Sequence, residues 1–207
     1  NRTAKAVQTR MLIIGGAVVA LILVVGGIFV VSGGGGGKSA ESFCADTKAI
    51  DALQDRLWAE RTRSLLVVLQ GIDTSGKDGT VRGVFGPCGP LGVVITPFGA
   101  PSGEELAHDY LWRVHGAVPK KGLIGVFNRS HYEDVLVVKV RKFAPAEAIE
   151  QRYEQINAFE KGLTENGVTV LKCMLHISKD EQRKRLQTRL DDSNHNWKFN
   201  PDDLEDR

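Results

Sequence analysis

Residues 65–80 read LLVVLQGIDTSGKDGT, and the fold is decided in this stretch. Leu65 to Gln70 is a short, mostly apolar run bounded by glycine, which suits a strand buried in a parallel sheet. Gly71 and Gly76 then frame a tight turn, and Lys77 opens a helix. The spacing G-x-x-x-x-G-K lets successive backbone N–H groups curl around a phosphate while the lysine adds positive charge. The residue after Lys77 is Asp78 rather than Ser or Thr, and the hydroxyl arrives only at Thr80. A glycine-rich turn with an ordinary surface lysine is the plainer alternative. A strand before and a helix after favour the phosphate site.

Downstream, strand and helix patterns alternate, which argues an α/β domain with a parallel sheet flanked by helices. The expected strands are 92–96 (GVVIT), 123–127 (LIGVF) and 168–177. Ser102 can cap one helix running from Gly103 to about His115, with Glu104 and Glu105 in its first turn. A long helix spans 146–166 and is closed by Gly167. The last helix, 179–189, carries Lys179, Arg183, Lys184, Arg185 and Arg189.

Ligands in open α/β sheets bind at the carboxyl ends of the strands, where polar residues gather in this sequence. Asp73 lies within the loop, and a carboxylate beside phosphate makes sense when Mg²⁺ sits between them. A turn-forming aspartate is the alternative. Arg129 directly follows a buried strand and is expected to aim at the cleft. Glu133 and Asp134 lie one turn on, able to reach the same metal, or simply to occupy a helix N-terminus. His108, Asp109 and His131 carry little weight, since phosphoryl transfer needs positioning and charge neutralisation more than a strong base. The basic helix 179–189 reads as a solvated face or as a mobile lid closing charge over phosphates.

Upstream, 11–32 (MLIIGGAVVALILVVGGIFVVS) is uncharged and would span about 33 Å as a helix, so a single transmembrane anchor in the lipid bilayer is expected. The organisation expected is a basic flank (1–10), this span (11–32), a Gly-rich linker (33–38), an amphipathic helix (39–64) and the P-loop domain (65–207). Phe43, Ile50, Leu53 and Leu57 recur at helical spacing in that amphipathic helix, with Trp58 beside them. Arg2, Lys5 and Arg10 precede the span, a bias that favours a cytoplasmic N-terminus. The scattered Cys44, Cys88 and Cys173 argue instead for a cell-membrane protein with its main domain in the cytoplasm. With 27 Lys+Arg against 25 Asp+Glu, no bulk charge argues for nucleic acid as a partner.

From residue 65 onward the chain resembles the type-2 polyphosphate kinase family. The resemblance rests on GIDTSGKDGTVR (71–82), FGAPSGEELAHDYLWRVH (98–115), FNRSHYEDVLV (127–137), YEQINAFEKGL (153–163), LHISKDEQRKRL (175–186) and NWKFNPDDLEDR (196–207). It implies a P-loop kinase-like core moving a phosphoryl group between inorganic polyphosphate and AMP or ADP, giving ADP or ATP, with Mg²⁺. On this resemblance Asp73, Lys77, Arg129, Glu133 and Asp134 are catalytic, with Asp73 and Asp134 on the metal. Gly71, Ser75, Gly76, Lys77, Asp78, Gly79 and Thr80 bind polyphosphate together with Arg129 and the lid residues Arg183, Lys184, Arg185 and Arg189. Arg113 and Asn128 meet the nucleotide, and the Asn form of that motif resembles the subgroup accepting both AMP and ADP. Residues 1–52 have no counterpart in the family, and family members continue past Arg207, so the domain is expected to be truncated there. Homo-oligomeric assembly is open on this reading.

Two alternatives stay open: an ATP-dependent nucleoside monophosphate kinase, and a membrane-tethered polyphosphate-binding module without catalysis. Polyphosphate is the expected donor, because the lid offers bases and no aromatic clamp for a nucleobase is evident.

Overall fold

All seven residues of β2 (Ser64–Gln70) are buried, and the sheet is assembled around this strand. The structure, a computed structural model, describes residues 12–15, 40–194 and 196–199. The described strands are all parallel, in the order β1-β5-β2-β4-β3, with β1 Leu12–Gly15, β3 Val93–Pro97, β4 Ile124–Asn128 and β5 Val168–His176. Side chains of a strand alternate between faces, and β2 uses both. Leu65, Val67 and Leu69 pack with Ile50, Val84, Phe85, Ile124, Val126 and Leu175 on one side. Leu66 and Val68 pack with Phe98, Val114, Phe127, Phe159 and Val168 on the other. The expected central strand buried on both faces is therefore present.

The helices are α1 (Ala40–Glu60), α2 (Lys77–Thr80), α3 (Gly103–Leu106), α4 (Trp112–Ala117), α5 (Glu133–Val140), α6 (Ala146–Glu165) and α7 (Lys179–Asp191). A π-helical turn, Val81–Phe85, continues α2, and a 3-10 turn, Asn196–Lys198, follows α7. Helix α1 ends at Glu60 because Arg61 takes a left-handed conformation, φ 52°. Its inward face holds Phe43, Ile50 and Leu57 as expected, but Leu53 is exposed and the polar Thr47 and Gln54 are buried instead.

Three expectations change. The single helix over 103–115 is two short ones. The Ser102 capping box starts α3, with Ser102 Oγ accepting from the Glu105 amide at 3.3 Å. Asp109 then stops the helical run, its Oδ1 accepting from the Leu111 amide in a local turn before α4. Glu133 and Asp134 do open a helix, α5, one of the two places open to them, but its extent was not expected because the apolar run EDVLVVKV lacks a clean polar face. Finally, Leu12–Gly15 is not helical but an edge strand running from Leu12↔Cys173 to Gly15↔His176 beside β5. A short apolar run fills an open sheet edge as readily as a helix, and periodicity cannot separate the two. Residues 11 and 16–32 of the expected anchor, and the linker 33–38, lie outside the described residues. Among the described residues no helix is long and apolar enough to cross a membrane.

Candidate active site

The loop between β2 and α2 has two positions that only glycine fits well. A Cβ on Gly71 would lie 2.5 Å from the Leu175 carbonyl oxygen and 2.6 Å from Ser75 Oγ. Gly76, at φ 98°, takes the left-handed conformation that turns the chain into α2. Thr74 is also left-handed at φ 59°, a conformation that costs a non-glycine residue on the order of 1 kcal/mol.

Lys77 ties this loop from within. Its Nζ donates to the carbonyls of Gly71 (2.7 Å) and Ile72 (3.1 Å) and to Ser75 Oγ (3.5 Å), and the residue is only 8% exposed. Burial, with the nearby Arg129 charge, brings the ammonium pKa down to about 8. An ammonium has three protons, so gripping a phosphate requires Lys77 to exchange one of these loop contacts.

The loop forms one wall of a cleft of about 610 Å³. Asn128 and Arg129 bring β4 into it, residues 97–99 follow from β3, and Arg185, Arg189, Trp197 and Lys198 close the far side. The β4 end is held firmly. The Phe98 amide donates to the Asn128 carbonyl (3.0 Å) and the Arg129 amide to the Leu69 carbonyl (3.1 Å). Arg129 itself sits at φ 66°. Asn128 Nδ2 donates to Asp78 Oδ1 (2.8 Å) and Lys198 Nζ to Asp78 Oδ2 (3.3 Å). The bond from Asn128, helped by Lys198, holds the Asp78 carboxyl below the usual range despite its partial burial.

Helix α7 presents one face to the loop. Arg185 Nη1 donates to the Thr74 carbonyl (3.0 Å), and Arg189 Nη1 to Asp73 Oδ2 (2.6 Å) and the Lys198 carbonyl (3.3 Å). Arg183 and Lys184 fall on the exposed face of the same helix and do not line the cleft, nor does Thr80. The i, i+4 spacing of Arg185 and Arg189 puts that pair alone on the cleft side.

A second cavity of about 260 Å³ lies beyond Asp73 and Arg129, which line both spaces. Glu133, Gln70 and Gln182 supply its polar wall, and Ile72, Leu136, Val137, Val140 and Met174 the apolar one. Gln70 Nε2 donates to Glu133 Oε1 (3.2 Å), while its buried Oε1 has no partner. Glu133 Oε2 is 3.8 Å from Arg129 Nη1.

Arg113 and Asp134 form a separate cluster. The Arg113 side chain is 10% exposed, lies over the Phe98 ring at 5.4 Å and donates to the Gly99 carbonyl at 3.0 Å. It approaches Asp134 Oδ2 to 3.6 Å, too far for a hydrogen bond. Burial pushes the Asp134 carboxyl up, against the opposing charges of Arg113 and Arg152. Neither residue lines either cavity.

Among the described residues no three His, Cys, Asp or Glu groups gather in a metal cluster. Mg²⁺ needs fewer protein ligands than that, since it takes one or two carboxylates together with phosphate oxygens and water. Asp73 and Glu133, which face one cavity beside the unpartnered Gln70 Oε1, fit that donor set. Asp134, held against Arg113 outside that cavity, is not brought together with Asp73 there.

Comparison with known proteins places this geometry. The family model described as polyphosphate kinase 2 matches residues 38–207. The chain belongs to the polyphosphate kinase 2 family. It is 52% identical over 167 residues to the AMP/ADP-polyphosphate phosphotransferase of Meiothermus ruber, covering 81% of this chain and 62% of that protein. It is 42% identical to the ADP-polyphosphate phosphotransferase of Rhodopseudomonas palustris, covering 75% of this chain and 58% of the other. The crystal structure of polyphosphate kinase 2 from Arthrobacter aurescens superposes with a TM-score of 0.76 at 48% identity, over 79% of this chain and 59% of that one. This chain thus spans roughly three-fifths of these family members, 62% and 58% of the two phosphotransferases. The family match begins at residue 38 and takes in the whole of α1, so the expectation that residues 1–52 have no counterpart in the family is corrected for 38–52.

Six residues of the cleft lining, Thr74, Pro97, Phe98, Gly99, Trp197 and Lys198, were not among the expected site residues. Trp197 is 73% exposed at the cleft, and Lys198 lies 5.2 Å from its ring. No aromatic clamp for a nucleobase was evident in the sequence, and the structure places two aromatic side chains, Phe98 and Trp197, in the cleft lining. A single tryptophan has no spacing rule, and only its place in the NWKFNPDDLEDR motif marked it.

Proposed function

We propose that this chain transfers a phosphoryl group between inorganic polyphosphate and an adenine nucleotide, with AMP and ADP as acceptors and ADP and ATP as products. The observation that carries the reading is the cleft charge. Lys77, Arg129, Arg185, Arg189 and Lys198 converge on one phosphate loop, a track suited to a linear polyanion. The donor phosphates lie along that track, and the acceptor phosphate approaches from the side of Asp73 and Arg129, the residues common to both cavities. Arg129 stabilises charge on the transferring group from the β4 end, and Lys77 from the loop. Mg²⁺, held by Asp73 and Glu133, would neutralise phosphoryl oxygens. The lid arginines exclude water by closing α7 onto the loop.

The test supplies the purified chain with AMP or ADP and either polyphosphate or ATP, and follows nucleotide products. Turnover with polyphosphate and not with ATP is expected. Trp197 favours one second reading: an exposed indole beside the cleft offers a stacking face for a nucleobase, as an ATP-dependent nucleoside monophosphate kinase requires. Turnover with ATP alone would establish that reading. Binding of labelled polyphosphate with no turnover from either donor would leave a binding module.

The membrane anchor at 11–32, with the kinase domain on the cytoplasmic side, is supported by the uncharged run and by substrates found in the cytoplasm. Leu12–Gly15 on the edge of β5 competes with insertion of that run. Alkaline extraction of membranes from expressing cells separates the two: an anchored chain stays with the pellet, and a chain using β1 is released. A homo-oligomer fits the same reading and is checked by light scattering.

A further inference from the structure

Behind the β4–α5 loop lies a buried polar cluster that lines neither cavity. Glu160 on α6 and Lys172 on β5 are 3% and 5% exposed, and their charged groups meet at 2.7 Å. Two consecutive residues of the loop join them. Tyr132 donates its hydroxyl to Glu160 Oε1 (2.8 Å) and accepts from Lys172 Nζ (2.7 Å). His131, fully buried, lies 3.3 Å from the same Glu160 oxygen through Nε2, with its ring edge-on to Phe159.

Such a cluster is a poor source of stability, because desolvating two charges offsets most of their attraction. What it supplies is direction. Apolar packing tolerates sliding, whereas charge-assisted bonds fix side chains at defined distances. The anchored pair, His131 and Tyr132, lies between the residues that face the site: Asn128 and Arg129 precede it, and Glu133 follows. Arg129 is held at φ 66°, a left-handed conformation that a non-glycine residue keeps only when its surroundings impose it. On one side the imposing contact is its amide bond to the Leu69 carbonyl. On the other side Ser130, fully buried, accepts from the Glu133 amide through its carbonyl (3.0 Å) and from the Tyr132 amide through Oγ (3.2 Å), which ties Arg129 to the two residues gripped by Glu160 and Lys172.

We propose that Glu160 and Lys172 are positioning residues which, by gripping His131 and Tyr132, hold Arg129 in its left-handed turn and aim its guanidinium into the cleft. The charges of both come from elements outside the substrate loops, so the loop is referenced to the sheet itself. The kinetic form of this proposal rests on the phosphoryl-transfer reading above.

The test is a double-mutant cycle. Glu160→Gln with Lys172→Met removes both charges together, avoiding a lone buried ion. With the melting transition retained, kcat is expected to fall about 10–100-fold with KM changed less, as an ångström-scale displacement of a charge-stabilising group does. In an Arg129→Ala background the same pair of substitutions should cost less than about threefold, since the group it positions is gone. A purely structural cluster would give equal losses in both backgrounds, or none in either, and each result overturns the proposal. Should the double variant fail to fold, Tyr132→Phe, which deletes two hydrogen bonds without changing charge, runs through the same cycle with the same criterion. Should the wild-type chain show no turnover, the phosphoryl-transfer reading fails, and the cycle is run on binding of fluorescently labelled polyphosphate. A loss of affinity that disappears in the Arg129→Ala background supports the proposal, and one that persists overturns it.

Discussion

Lys77 ties the loop through its carbonyls, and in the proposed function it is also the charge that meets phosphate. Replacing it with alanine should lower turnover by about 10²–10³, the usual effect of losing one placed electrostatic contact. It also frees the carbonyls of Gly71 and Ile72, so a drop in melting temperature is expected alongside. The depressed pKa gives a pH prediction. The free protein holds the ammonium below about pH 8 and the neutral amine above it. A bound polyanion favours the charged form, so the complex holds its proton to a higher pH. Polyphosphate affinity is therefore constant below about 8 and falls as pH rises through it, a step that Lys77→Met should abolish in a binding titration from neutral to alkaline pH. Gly71 makes a structural prediction of the same locality. Its Cβ position is occupied by backbone and Ser75, so Gly71→Ala should cost about 1–3 kcal/mol, read as a lowered midpoint in urea.

Helix α7 presents one face to the phosphate loop, and the proposed lid acts through that face. Arg189→Ala removes the contact to Asp73 and should weaken polyphosphate binding about tenfold, while Arg183→Ala and Lys184→Ala, both on the solvent face, should change it less than twofold. Equal effects from all three, measured by binding of labelled polyphosphate, would deny the lid a preferred face. The basic composition of this helix was legible in the sequence, but which bases face the loop depends on where α7 docks. The same division runs through the other elements. β2, its loop and the Ser102 capping box are local patterns, fixed by spacing and capping chemistry within a few residues, and they appear as read. The break at Asp109, the inward Thr47 and Gln54, and the strand at Leu12–Gly15 depend on tertiary neighbours that no local pattern encodes. Glu160 and Lys172 are the sharpest case. A charged residue in a helix or strand reads as surface, and only the packing of α6 against β5 makes these two a buried pair.

The whole molecule carries a formal net charge of only +2, so long-range attraction for a polyanion is weak and binding must be local. The cleft concentrates five cationic side chains, Lys77, Arg129, Arg185, Arg189 and Lys198, against two carboxylates, Asp73 and Asp78. Both carboxylates are already paired, Asp73 with Arg189 at 2.6 Å and Asp78 with Lys198 at 3.3 Å. Polyphosphate must therefore compete for Arg189 and Lys198 with these carboxylates, for Arg185 with Glu181 at 2.7 Å and for Arg129 with Glu133 at 3.8 Å, while Lys77 exchanges a loop contact. Each phosphate neutralised releases condensed counterion, and for a flexible single-stranded polyanion the logarithm of affinity falls by roughly 0.7 per contact with the logarithm of salt. Three to five contacts give a slope between about −2 and −3.5, less steep than if Arg183 and Lys184 also lay on the track. Binding of long-chain polyphosphate over a salt series at constant pH measures this slope. Arg189→Ala should reduce its magnitude by up to about 0.7, with Asp73 left unpaired as a further repulsive charge. A slope near zero would mean that the cleft does not hold the polyanion through charge, and a slope steeper than about −5 would mean that the track runs beyond the five cations that line it.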